Sequence, residues 1–93
     1  MAWQVDFGPR AERALKKLDR QVAARVIAYL EDAAAGDPRA QGRALTGELG
    51  GFWRYRVGDW RVLCRIEDAR LVVLVVDLGH RREVYRLTLH ACA

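Results

Sequence analysis

Residues 52–86 read FWRYRVGDWRVLCRIEDARLVVLVVDLGHRREVYR. The stretch divides into three consecutive β-strands, at about Phe52 to Val57, Trp60 to Glu67 and Leu71 to Leu78. Gly58-Asp59 is a two-residue hairpin signal with glycine first, as a type II′ turn requires. That turn puts Val57 opposite Trp60 and Arg56 opposite Arg61. Arg56 and Arg61 then form a non-hydrogen-bonded pair, in which side chains lie closest. Like charges directly opposite each other are destabilising, unless something anionic occupies the space between them. The hairpin therefore predicts a phosphate-binding surface. The last strand contains LVVLVVDL, almost continuously apolar, and reads as a central strand covered on both faces.

Upstream, Trp3 to Phe7 alternates apolar and polar residues as a short strand does. Gly8-Pro9 ends it, and Pro9 suits the first turn of a helix, where its missing N–H would be unpaired anyway. Ala11, Ala14, Leu15 and Leu18 recur at helical spacing. Asp19 is a candidate N-cap for a second helix carrying Val22, Ala23, Val26, Ile27 and Leu30 on one face and ending near Gly36. With so short a link the two helices form an αα-hairpin. Gln41 to Gly51 reads as irregular, with Leu45 and Leu49 turned back to the core. The expected fold is α+β, in the order β-α-α-β-β-β: a small, mostly antiparallel sheet with a helical hairpin packed on one face.

At 93 residues the chain has room for one modest core, so residues 1–93 are expected to form a single domain. A hydrophobic fraction of 52% and a charged fraction of 30% exclude a disordered tail. The longest apolar run, Leu71 to Val76, is too short to span a bilayer, and MAWQVDFGPR has no secretory pattern. A cytoplasmic protein with no membrane role is expected, with Cys64 and Cys92 reduced. No metal-ligand spacing links the cysteines to His80 or His90, so neither metal nor cofactor is expected. The net charge of +4 suits a polyanion or an acidic protein partner.

The placement of the arginines sharpens that inference. Strand side chains alternate faces. Trp53, Tyr55, Val57, Trp60, Val62, Cys64 and Ile66 share an apolar face, which the helical hairpin would cover. Phe52, Arg54, Arg56, Arg61, Leu63 and Arg65 share the other, a basic and partly apolar floor. The plain alternative is that these arginines solvate the outer face, paired with acids such as Glu67, but few acids are expected there. Past the central strand, Gly79 to Arg86 gathers an imidazole, guanidiniums and a phenol.

These blocks together resemble the RelE/ParE superfamily of toxins from type II toxin–antitoxin pairs. The resemblance covers essentially the whole chain and is carried by Gly47 to Ile66 and by the apolar strand closing in GHRREVYR. It implies a RelE-like microbial RNase fold. RelE-type members cut mRNA in the ribosomal A site; ParE-type members share the fold but inhibit DNA gyrase without nuclease chemistry. The basic hairpin with a late arginine and tyrosine favours the RelE-like branch. By position the resemblance implies Arg54, Arg56, Arg61, Arg81 and Tyr85 as the catalytic set; Arg65 on the basic face and Arg82 in the terminal arginine cluster are expected as further RNA contacts. It also implies a cognate antitoxin as partner, acidic toward the basic face, with the ribosome and mRNA as target and DNA reached only through the antitoxin.

Metal-free RNA cleavage uses the neighbouring 2′-hydroxyl as nucleophile. The enzyme must align it, take its proton, stabilise the phosphorane and protonate the leaving 5′-oxygen. A guanidinium matches two phosphate oxygens at once, so Arg56, Arg61 and Arg81 suit the charge-stabilising role. Well-studied relatives carry lysine where this chain has Arg54. Arginine stays protonated, with a pKa above about 12, so Arg54 is no general base. His80 or Tyr85 handles the proton, or positioning on the ribosome supplies most of the rate.

Overall fold

The computed structural model describes residues 3–80. Its elements run β1 (Gln4–Phe7), α1 (Pro9–Lys17), α2 (Arg20–Ala35), β2 (Arg43–Ala44), a 3₁₀ turn (Gly47–Leu49), β3 (Trp53–Val57), β4 (Trp60–Glu67) and β5 (Val72–His80). The expected α+β order holds, with one addition: β2, two residues long, lies in the segment expected to be irregular. The five strands form one sheet in the order β1-β5-β4-β3-β2. β1 runs parallel to β5, and the other pairings are antiparallel.

Local chemistry sets the helix boundaries. Pro9 occupies the first turn of α1. Only Leu18 and Asp19 separate the helices, and the Asp19 carboxylate accepts the Gln21 N–H at 3.0 Å, capping α2. Gly36 closes α2. The helical hairpin lies on one face of the sheet, and Ala11, Val26, Leu30 and Ala33 pack with Tyr55, Val62, Cys64, Val73, Val75 and Leu78 in the buried core. Leu45 and Leu49, expected to reach the core, are only half-buried and lie outside that cluster.

The β3–β4 hairpin has the predicted register, with Val57 opposite Trp60 and Arg56 opposite Arg61. Gly58 has φ +60°, and Leu71 is the one non-glycine residue with positive φ among the described residues, so Asp59 completes a type II′ turn. The β4–β5 ladder carries a bulge at Leu63/Cys64. Cys64 faces Val75 while Leu63 faces Asp77, so Val76 is the extra residue. Unbroken pairing would have turned Asp77 into the core and Leu78 onto the arginine face. The bulge reverses both: Leu78 is buried in the core, and Gly79 lies opposite Arg61.

Candidate functional site

The strand register sorts the predicted residues by face. Arg43, Arg54, Leu63 and Asp77 lie in one row across the sheet, and Arg56, Arg61 and Gly79 in the next toward the turn. Both rows face away from the helices. Two like-charge pairs are therefore set directly across from each other, Arg43 with Arg54 and Arg56 with Arg61. The first pair is visible only once β2 is recognised.

The outer face is not the open floor expected from the sequence. Leu63 is fully buried and Asp77 is 2% exposed, so the middle of that face is covered. The accessible guanidiniums lie toward the β3 edge, where Arg43 and Arg56 are exposed and Arg54 is half-buried. Arg61 is 8% exposed, and its Nη1 donates to the carbonyls of Gly58 at 3.0 Å and Trp60 at 3.1 Å. Arg61 thus ties down the hairpin turn while presenting its charge beside Arg56. Arg65 stands apart, exposed, with its guanidinium 5.4 Å from the Phe52 ring centroid.

Three acids of β4, β5 and the turn between them are engaged elsewhere. Glu67 pairs with Arg70 at 2.7 Å, and Asp68 takes both Nη atoms of Arg39 at 2.7 and 2.8 Å. That bidentate bond holds the Asp68 carboxyl below the usual carboxylate range. Asp77 accepts Arg10 Nε at 2.9 Å and its neighbour Leu78 N–H at 2.9 Å. Among the described residues no carboxylate pairs with Arg56, Arg61 or Arg65. Arg10 and Asp77 were not expected at this face. Asp77 sat inside an apolar run, and only the bulge turns it outward.

His80 is placed differently from the sequence expectation. β5 continues to His80, in the row of Val57 and Trp60, which faces the helices. Its ring meets Trp60 edge to face, with centroids 6.0 Å apart. The imidazole is on the opposite side of the sheet from Arg56 and Arg61, so the structure does not join it to the arginine rows. Arg81, Arg82 and Tyr85 lie outside the described residues.

At the outer edge of β3 a cleft of about 270 Å³ is lined by Tyr29, Gly42, Arg43, Arg54 and Arg56. Gly42 forms part of its wall at φ +82°, and a Cβ there would lie 2.5 Å from both the Arg54 carbonyl oxygen and Trp53 Nε1. Only glycine lets the chain pass so close. Tyr29, from α2, packs edge to face on Tyr55 at 5.7 Å. Burial and the charge of Asp32 push its phenol pKa up. Among the described residues no group of three or more His, Cys, Asp or Glu side chains is placed to hold a metal, and no helix is long and apolar enough to cross a membrane.

Residues 5–85 match the family described as the ParE toxin of the type II toxin–antitoxin system parDE. The chain belongs to this toxin family, within the RelE/ParE superfamily. Toxin RelG of Mycobacterium tuberculosis is 33% identical over 86 residues, covering 92% of this chain and 99% of the relative. Toxin RelE of the same organism is 29% identical over 85 residues, covering 91% and 88%. The toxin–antitoxin complex RelBE2 from M. tuberculosis superposes with a TM-score of 0.80 at 31% identity, covering 89% of this chain and 95% of that one. A free E. coli RelE variant gives a TM-score of 0.77 at 22% identity, over 98% and 93% of the two chains, which supports the fold. Arg43 and Tyr29 carry no signal in the family motifs quoted from the sequence; the β2 pairing brings Arg43 to the site.

Proposed function

We propose that residues 1–93 act as a single RelE-like toxin domain in the cytoplasm, a ribosome-dependent endonuclease that arrests translation by cutting mRNA in the A site. One observation carries this reading: Arg56 and Arg61 face each other across the hairpin, and among the described residues no carboxylate pairs with either. A phosphodiester held there would relieve the repulsion and receive paired guanidinium hydrogen bonds. Arg54 adds charge beside them, and Arg65 and Arg82 extend contacts along the message.

The chemistry needs no metal. The 2′-hydroxyl attacks the adjacent phosphorus in line, and the arginines stabilise the charge that accumulates on the non-bridging oxygens. The leaving 5′-oxygen departs with a proton. His80, the one histidine among the described residues, faces the helices. The proton steps therefore fall to Tyr85, or the rate rests chiefly on positioning, with Arg81 completing the charge clamp. A cognate antitoxin neutralises the toxin by covering the basic surface, and DNA is reached through that complex. Support for such a partner comes from the structural relative RelBE2, a toxin–antitoxin complex.

A second reading is a ParE-type gyrase inhibitor without nuclease activity. The description of the matched family favours it, as does the lack of a near-neutral titrating side chain on the arginine face among the described residues. Mapping mRNA 5′ ends after induction separates the two. Codon-scale cuts that vanish with Arg61→Ala or Arg81→Ala support the nuclease. Intact mRNA with a DNA-damage response and filamentation overturns it.

A further inference from the structure

The cleft at the outer edge of β3 has a composition that the catalytic arrangement does not use. Arg43 and Tyr29 line it beside Arg54 and Arg56. Arg43 is exposed and stands directly across from Arg54. Arg56 belongs to the next row, two residues along β3. Because Arg56 and Arg61 form a non-hydrogen-bonded pair, the Arg56 backbone N–H points away from β4. It points to the edge beyond Arg43, where β2 no longer runs among the described residues.

We propose that this cleft is a second phosphodiester subsite for single-stranded RNA, next to the phosphate held between Arg56 and Arg61, with Arg43 and the Tyr29 hydroxyl as its dedicated donors. The inference rests on the nuclease reading and names where the chain of the message continues. Residues two apart on a strand are separated by about 6.7 Å, of the order of the repeat of an extended sugar–phosphate backbone. Successive phosphates can thus be gripped by successive rows. Arg43 supplies the charge, and Tyr29 supplies a neutral O–H. The phenol stays protonated because burial and Asp32 oppose its ionisation. Gly42 keeps the wall of the cleft at backbone level.

A blander account exists for arginines on an edge. Charged side chains there discourage strand-to-strand aggregation. That account gives Arg43 no effect on RNA and gives Tyr29 none at all.

The test is fluorescence anisotropy of the full chain with a labelled single-stranded RNA hexamer across a salt series, for the native protein, Arg43→Gln, Tyr29→Phe and Arg56→Gln. Arg43 is exposed, and phenylalanine at 29 keeps the packing on Tyr55, so both variants retain the fold. Arg43→Gln is expected to weaken binding about tenfold at low salt and to lower the magnitude of the salt slope by about 1, the loss of one phosphate contact. Tyr29→Phe is expected to weaken binding about threefold with the slope unchanged, as suits a neutral donor. If Arg56→Gln weakens binding while Arg43→Gln and Tyr29→Phe match the native protein, the subsite is overturned and the nuclease reading stands. If the native protein shows no RNA binding, or Arg56→Gln does not alter it, both are overturned. Arg43→Gln that self-associates with RNA affinity intact assigns Arg43 to edge protection and also overturns the subsite.

Discussion

Arg56 and Arg61 show how two identical side chains in one cross-strand pair come to different roles. Among the described residues the exposed Arg56 side chain has no hydrogen-bond or ion-pair partner, whereas Arg61 is buried and braces its own turn through two carbonyls. Arg56→Ala should leave stability within about 0.5 kcal/mol of the native protein, while Arg61→Ala should cost roughly 1–3 kcal/mol, the scale of hydrogen bonds from a charged donor. Urea unfolding checks both. Equal losses would mean that Arg61 does not brace the turn. For the proposed nuclease, Arg56→Ala should lower cleavage of ribosome-bound mRNA by about 10²–10³-fold, read as a single-turnover rate. A stable Arg56 variant with full activity would remove it from the site. Asp68 is the residue whose ionisation the fold holds down. Its folded pKa lies below the unfolded value, so its contribution is present above the unfolded value near 3.9 and is lost as pH falls through the folded pKa. An NMR titration of the Asp68 carboxyl should return to the ordinary carboxylate range in Arg39→Ala. An unchanged midpoint would refute the ion pair as cause.

At the scale of elements, β2 is the smallest piece with the largest consequence. Two residues of pairing, Arg43 with Arg54 and Ala44 with Trp53, place a fourth arginine beside Arg54, Arg56 and Arg61 and create the cleft. The approach depends on Gly42, where φ is +82° and a Cβ would meet the Arg54 carbonyl oxygen at 2.5 Å. Gly42→Ala combines left-handed backbone strain with a backbone clash and should cost about 2–4 kcal/mol. Gly58→Ala at φ +60° has open space around the new methyl and should cost only the conformational term, about 1–2 kcal/mol. Thermal unfolding of the two variants side by side tests the difference, and equal losses would mean that β2 moves away freely. The bulge in β5 is the second such device. By inserting Val76 it turns Asp77 outward to Arg10 and puts Gly79, with no side chain, opposite Arg61.

At the scale of the whole molecule, the core binds stability to pH on the alkaline side. Burial pushes the Cys64 thiol up, and the Tyr55 and Tyr29 phenols with it. The Tyr55 hydroxyl also donates to the Pro38 carbonyl, a bond that ionisation would abolish. A folded pKa raised above the unfolded value gives stability that is full below the unfolded pKa and lost as pH rises. Stability should therefore decline from about pH 8.5, where an unfolded thiol titrates, and more steeply from about pH 10, where unfolded tyrosines do. Chemical denaturation from pH 7 upward measures it. Cys64→Ala should remove the first part of the decline and leave the second, and an unaltered profile would show that the thiol is not the linked group.

The sequence by itself determined the hairpin register, the helix boundaries and the side of the sheet on which Arg54, Arg56 and Arg61 stand. Each follows from local rules: a glycine that the turn demands, a proline and an aspartate at helix starts, and a two-residue alternation. Tertiary structure alone decided the pairing of Arg43 with Arg54, the exit of Asp77 from the core, the burial of Leu63 and Arg61, and the turning of His80 toward Trp60. Those outcomes come from partners distant in sequence. A two-residue strand has too few residues to show a period, and a bulge shifts every later side chain by one face without leaving a mark in composition.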